Sequence, residues 1–182
     1  MNHPRQSGMT LIELACSLAV LSILAGLAAP SCREWRQRAA ATSLVDALTG
    51  DIALARITAI SRGRATVVCP TADWQLCGQQ ADWKDGWIVY LDTNRDRIRQ
   101  AGEPVLSTSQ PRQIPNLTFN STSGRTAIRL LPSGFSYGSN VTVTACIGRR
   151  AHAQLVMNNA GRVRIDRKPA RNEDARCQSP PA

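Results

Sequence analysis

The chain has 182 residues, with 22 Lys and Arg against 13 Asp and Glu, for a net charge of +9. An excess of that size points to polyanions: nucleic acid, anionic lipid or acidic polysaccharide. His152 is the one histidine after His3, and no Walker or GxGxxG phosphate loop occurs, so a serine triad and nucleotide-driven chemistry lack residues to carry them and the chain reads as non-catalytic.

Residues 1–8 form a short polar leader, and residues 9–29 an apolar run interrupted by one ionisable side chain, Glu13. About 21 residues at 1.5 Å each reach roughly 30 Å, the thickness of a bilayer core. A carboxylate costs about 2.5–3.5 kcal/mol at the centre of such a span and less near the interface, so Glu13 is read as kept for a purpose. A secretory signal has a shorter apolar stretch followed by its cleavage site. Ala28-Ala29-Pro30 imitates such an exit, which leaves removal of the whole anchor as the alternative. Arg5 on one flank and Arg33, Arg36 and Arg38 on the other give no clean orientation.

From residue 31 to residue 62 apolar side chains recur at Val45, Leu48, Ile52, Ala55, Ala59 and Ile60, mostly three or four apart, which predicts a continuing helix. Pro30 removes a backbone donor and predicts a kink; Gly63 predicts the end. Beyond it the period falls to two. Strands are predicted at 65–69, 87–91, 105–108, 117–120, 127–131, 141–146, 154–158 and 162–165, between turn signals such as Lys84-Asp85-Gly86 and Pro132-Ser133-Gly134. Residues 172–182 are polar and proline-rich and read as loose, except where Cys177 ties them down. Trp74, Trp83 and Trp87 read as core filling. The predicted class is α+β, a long N-terminal helix packed on an antiparallel β-sheet domain. Its predicted parts are a leader (1–8), a transmembrane and assembly helix (9–30), the soluble part of that helix (31–62), and a β-rich domain with a basic tail (63–182).

Six cysteines fall into two groups. Cys16 and Cys32 lie in or beside the anchor without an obvious partner. Cys69, Cys77, Cys146 and Cys177 suit an oxidising compartment. Of the three pairings they allow, the preferred one joins Cys69 to Cys77, closing a short loop, and Cys146 to Cys177, pinning the tail. Each bridge contributes about 2–4 kcal/mol, mostly through the unfolded chain. A zinc site is the competitor, but no CxxC spacing supports it.

The opening Gly8-Met9-Thr10-Leu11-Ile12-Glu13 resembles the type IV prepilin signature, a glycine before a cleavage point and an acid about a helical turn downstream. Met9 departs from the phenylalanine usual there. The resemblance implies that a prepilin peptidase cuts after Gly8 and methylates the new amino group of Met9. It also implies that Glu13 pairs with the amino terminus of a neighbouring subunit. The protein would be a single-pass inner-membrane protein with a periplasmic ectodomain, then part of a cell-surface pilus. Further along, Ala55-Arg56, Ala59-Ile60, Val67-Val68-Cys69, Trp83, Gly86-Trp87-Ile88-Val89-Tyr90, Asp92-Thr93-Asn94-Arg95-Asp96, Glu103, Pro132-Ser133-Gly134 and Asn159-Ala160-Gly161-Arg162-Val163-Arg164 are together similar to the FimT/GspH group of minor pilins and pseudopilins. The set covers nearly the whole chain and implies a type IV pilin-like fold.

Arg149, Arg150, Arg162, Arg164, Arg167, Lys168, Arg171 and Arg176 face only Asp166, Glu173 and Asp174 in the last part of the chain. In a strand, Arg162 and Arg164 point to one face, about 7 Å apart, and match a row of phosphates. Gly161 lets the backbone approach a ligand closely. In the FimT branch a Gly-Arg-x-Arg motif is implicated in binding DNA during natural transformation, and Gly161-Arg162-Val163-Arg164 matches it residue by residue. The reading is of contact with the DNA backbone, indifferent to sequence, by Arg162, Arg164, Gly161, Arg149, Arg150, Arg167, Lys168 and Arg171, with no cofactor and no metal. Other pilins and minor pilins are the further partners. The rivals are a structural minor pilin that primes pilus assembly, a GspH-like pseudopilin of a type II secretion system, and a basic face that is only solvated. Asp92, Asn94, Asp96 and Glu103 match the spacing of a calcium loop, but Arg97 replaces its glycine, so a hairpin turn is expected there.

Overall fold

A computed structural model of the chain describes residues 10–26, 31–122 and 124–178, with the helical backbone of 27–30 between them. The leader, the cleavage point at Gly8 and Met9, the side chain of Pro30 and the last four residues lie outside what is described. The chain divides into two compact units, up to Arg36 and from Gln37 onward.

The long helix α1 (Leu11–Arg62) begins in the first unit. Thr10 donates to Glu13 Oε2 from its backbone and its hydroxyl, both at 3.3 Å, and the Glu13 amide donates back to Thr10 Oγ1 at 3.4 Å. This reciprocal capping box satisfies donors that the first turn would otherwise leave open. Leu11, Ile12, Leu14, Leu18, Val20, Leu21, Ile23 and Leu24 are all exposed. A helix apolar all round needs lipid or other helices to cover it. No single helix among the described residues is long and apolar enough to cross a membrane; Leu11–Gly26 and Ser31–Arg62 pass together on length and composition.

In the second unit α1 buries Ala41, Leu44, Val45, Leu48, Ile52, Ala55 and Ala59. That stripe follows the helical period. Ile60, expected among the inward residues, is exposed because its neighbour Ala59 already takes the inward position.

The strands are β1 (Ala65–Pro70), β2 (Trp87–Asp92), β3 (Val105–Ser109), β4 (Leu117–Ser121), β5 (Ile128–Leu130), β6 (Val141–Ile147), β7 (Arg150–Met157) and β8 (Val163–Asp166). They form two four-stranded sheets, β3-β2-β1-β5 and β4-β6-β7-β8, with every neighbouring pair antiparallel. Two differences from the sequence reading stand out. β7 starts at Arg150 rather than 154, and β8 starts at Val163, so Arg162 stands just outside it. The core fills the space between α1 and the inner faces of both sheets, with Val68, Val89, Phe119, Val143 and Leu155 among its members. β1 and β2 are buried along their whole length. Their other face packs as a smaller cluster of Val67, Cys69, Ile88 and Tyr90 under Cys77, Val105 and Ala127.

Trp83 and Trp87 are fully buried, as core filling requires, whereas Trp74 is only half-buried. Trp87 packs at a tilt against Trp83 and Phe119, with ring centroids 6.5 and 5.9 Å away. Its indole N–H donates to Asp51 Oδ2 on α1 at 2.7 Å. Ser109 donates to the same oxygen at 2.6 Å, and Ser107 to Oδ1 at 2.8 Å. One helix carboxylate thus ties two adjacent strands of the first sheet. Asp51→Ala leaves these donors unsatisfied and is expected to cost about 2–3 kcal/mol, read as a lower denaturant midpoint at unchanged slope.

Both preferred disulfides form, Cys69–Cys77 and Cys146–Cys177, with Cα separations of 5.5 and 5.8 Å. Cys16 and Cys32 are free and exposed. The tail corrects the sequence reading: Arg171–Cys177 is a 3-10 helix, not a loose end. Three ties explain it. The second disulfide fixes its end, the Ala151 amide donates to Asp174 Oδ1 at 2.9 Å, and Gln154 Nε2 donates to Glu173 Oε2 at 3.1 Å.

Candidate nucleic-acid interface

β8 is the edge strand of the second sheet and pairs only with β7. Val163 and Ile165 pack against the core, while Arg162 and Arg164 are exposed. The alternation follows from the strand period of two. The two apolar residues hold the edge in place, and the two arginines are left exposed, Arg164 within the strand and Arg162 just before it. Arg164 sits opposite Val156 in the register, two pairs along from Gln154 and Asp166. Neither guanidinium makes an ion pair or hydrogen bond with the described residues. Most other arginines of this unit are engaged. Arg56 donates to the Gly161 carbonyl, Arg125 to the Gly138 carbonyl, Arg99 to the Gln75 carbonyl, and Arg129 faces Asp92.

The turn before β8 is fastened from three sides. Within it, the Gly161 amide donates to the Asn158 carbonyl at 2.9 Å and the Arg162 amide to Asn158 Oδ1 at 3.1 Å. From the neighbouring loop, the Ser136 amide donates to the Asn159 carbonyl at 2.9 Å. From α1, Arg56 Nη1 donates to the Gly161 carbonyl at 3.1 Å. Gly161 itself is buried, at φ 72°, and a Cβ there would lie 2.5 Å from the Gly134 carbonyl oxygen. The close approach expected of Gly161 is therefore to the protein's own backbone, not to a ligand.

The remaining basic residues do not gather into one cluster. Arg149 and Arg150 occupy the β6–β7 hairpin, where Arg150 pairs with Ile147. Six residues of β7 separate Arg150 from Val156, the partner of Arg164, or about 20 Å. Arg167 turns to α1 and pairs with Asp46 at 2.8 Å. Lys168 and Arg171 are exposed on the segment that runs back toward the hairpin. The result is a basic edge along β8 and the tail rather than a pocket. All three nearby acids are occupied: Asp166 Oδ1 accepts the Lys168 amide at 2.9 Å. Asp174 accepts the Ala151 amide. The Arg176 guanidinium, with help from Gln154, holds the Glu173 carboxyl below the usual carboxylate range.

Among the described residues no group of three His, Cys, Asp or Glu is placed to hold a metal ion. In the calcium-like loop, Glu103 is buried and turned inward. Its Oε1 accepts the Thr93 amide at 2.7 Å and its Oε2 the Gln100 amide at 3.1 Å, so the glutamate braces its own turn. Asp92 is buried facing Arg129 at 3.4 Å. Burial, with the negative charge of Asp92 next to it, pushes the Tyr90 hydroxyl well above its usual range.

A family model described as type II transport protein GspH matches residues 44–161, and one described as the prokaryotic N-terminal methylation motif matches residues 3–29. Two solved structures share the fold. The type IV minor pilin FimU of Pseudomonas aeruginosa is 18% identical, with 72% of this chain and 92% of that one covered at a TM-score of 0.54. The minor pseudopilin EpsH of the type II secretion system of Vibrio cholerae is 10% identical, with 73% and 97% covered at 0.50. No curated protein matches the sequence. The GspH match ends at Gly161, immediately before the two exposed arginines.

Proposed function

This chain belongs to the GspH family and has the fold of a minor pilin or pseudopilin, and on that footing we propose that it is a minor pilin that holds extracellular DNA by its phosphates, for uptake in natural transformation. One observation carries the reading: Arg164 on the edge strand and Arg162 immediately before it are exposed and unpartnered among the described residues, while Val163 and Ile165 anchor that strand on the core. Guanidinium forks bind phosphate in two directions at once and never lose their charge. An edge can lie along a sugar–phosphate chain without enclosing it, which suits a ligand of indefinite length. Phosphate contacts carry no base information, so binding is indifferent to sequence. Lys168 and Arg171 extend the same charge along the tail and Arg149 and Arg150 add to it at the β6–β7 hairpin, with Arg167 held back by Asp46.

The anchor completes the reading. A prepilin peptidase cuts after Gly8 and methylates Met9. The N-terminal helix then holds the protein in the inner membrane, as a single pass with the body in the periplasm, until assembly with other pilins and minor pilins covers its apolar side chains. Glu13, which caps its own helix through Thr10 in the single chain, turns to the amino terminus of the neighbouring subunit in the filament.

The second reading is a pseudopilin of a type II secretion system, with the arginines contacting other subunits. The family description favours it, as does the end of the match before the arginines. A titration of the full-length chain in detergent micelles against random-sequence duplex separates the two. The proposal expects saturable binding at low ionic strength that weakens steeply with salt. No binding at low ionic strength discards it in favour of the second reading.

A further inference from the structure

Phe135 and Tyr137 are large, exposed and used by neither core. They stand 40% and 60% exposed, with their rings parallel to within 1° and their centroids 5.2 Å apart. Ser136 between them is buried, so the two rings leave the chain on the outer side. The segment that carries them is held at several points. The Leu131 amide donates to the Phe135 carbonyl at 2.9 Å, and Arg125 Nη1 donates to the Gly138 carbonyl at 2.6 Å. The Ser136 amide donates to the Asn159 carbonyl, and the Gly134 carbonyl lies against Gly161. The rings and Arg162 therefore spring from two turns bonded directly to each other.

Held aromatic rings beside free guanidinium groups are the two components by which single strands are bound: charge follows the phosphates and bases stack on the rings. In a duplex the base faces are already covered by their neighbours, and only base edges and phosphates are offered. A pair of exposed rings gains nothing from a duplex. We propose that Phe135 and Tyr137 form a stacking platform for unpaired bases, so that this edge prefers single-stranded DNA, or the frayed end of a duplex, to an intact duplex. The proposal rests on the DNA reading above.

The test uses the full-length chain in detergent micelles and three labelled probes of about 20 nucleotides: oligo(dT), an abasic strand with the same phosphates, and a duplex. Oligo(dT) is expected to bind about tenfold more tightly than the abasic strand, the effect of roughly one stacked base. Phe135→Ala with Tyr137→Ala lowers oligo(dT) to the abasic level and leaves the abasic strand unchanged. Tyr137→Phe, which keeps the ring, retains the preference. Equal binding of oligo(dT) and the abasic strand, with both weakened by Arg162→Ala and Arg164→Ala, overturns the platform and leaves the DNA reading standing. Failure of all three probes to bind overturns both.

Discussion

Replacing Arg162 and Arg164 together by alanine is expected to weaken duplex binding by the full-length chain on the order of 30- to 160-fold at low salt. A hydrogen bond to a charged group contributes about 1.5–3 kcal/mol net, and an exposed contact falls at the low end, so the pair contributes about 2–3 kcal/mol. The salt dependence gives a second reading of the same event. Three to five neutralised phosphates make log affinity fall with log salt at a slope of about −3 to −4.5, and removing two contacts flattens it by about 2. Stability is expected to stay within about 0.5 kcal/mol, because both side chains are exposed and Val163 and Ile165 keep the strand on the core. Arg→Lys at both positions keeps the charge but loses the planar fork, so affinity falls less and the slope is retained. A double alanine variant that binds as the parent does, with the same slope, removes these arginines from the site.

The distinction matters because much of this chain was legible in the sequence and the assignment of roles was less so. All eight strands form near their predicted positions, β1 and β2 as continuous apolar runs, and both preferred disulfides form. The errors lie where distant residues decide. β7 runs back to Arg150 through Ala151 and Ala153, residues with little strand preference of their own, because β6 across a register shift at Ala145 and Cys146 supplies the partner. The tail forms a 3-10 helix because a disulfide and two carboxylate contacts hold it to β6 and β7, and no local pattern encodes that. The division into two sheets has the same character, since strand order is a matter of long-range pairing. Asp51 reads as one more polar residue on a helix until three donors from β2 and β3 converge on it. Two features are encoded locally. Thr10-x-x-Glu13 is a capping-box spacing. Phe135-Ser136-Tyr137, between two glycines, has the alternation that puts two rings on one side.

Gly161→Ala is the second large effect, and it separates the structural half of the arginine motif from its binding half. At φ 72° the left-handed backbone costs an L-residue about 1–2 kcal/mol. The added methyl would also lie 2.5 Å from the Gly134 carbonyl oxygen, a backbone atom that cannot swing aside as a side chain can. Relieving that overlap costs about 1–3 kcal/mol more, so a total loss of about 2–5 kcal/mol is expected from the denaturant midpoint. Gly63 supplies the matched control. Its φ is 60°, yet nothing lies within 4 Å of a Cβ placed there, so Gly63→Ala should cost only the backbone share. If the two variants lose the same stability, the approach to Gly134 contributes nothing, and the account of the fastened turn fails. If Gly161→Ala loses more, its DNA affinity should fall as well, although the residue is buried. The Arg56 bond to the Gly161 carbonyl and the Ser136 bond to Asn159 both position the backbone from which Arg162 departs. The arginine variants lose affinity at constant stability, whereas the glycine variant loses both. That contrast is what a motif composed of one positioning residue and two contacting residues requires.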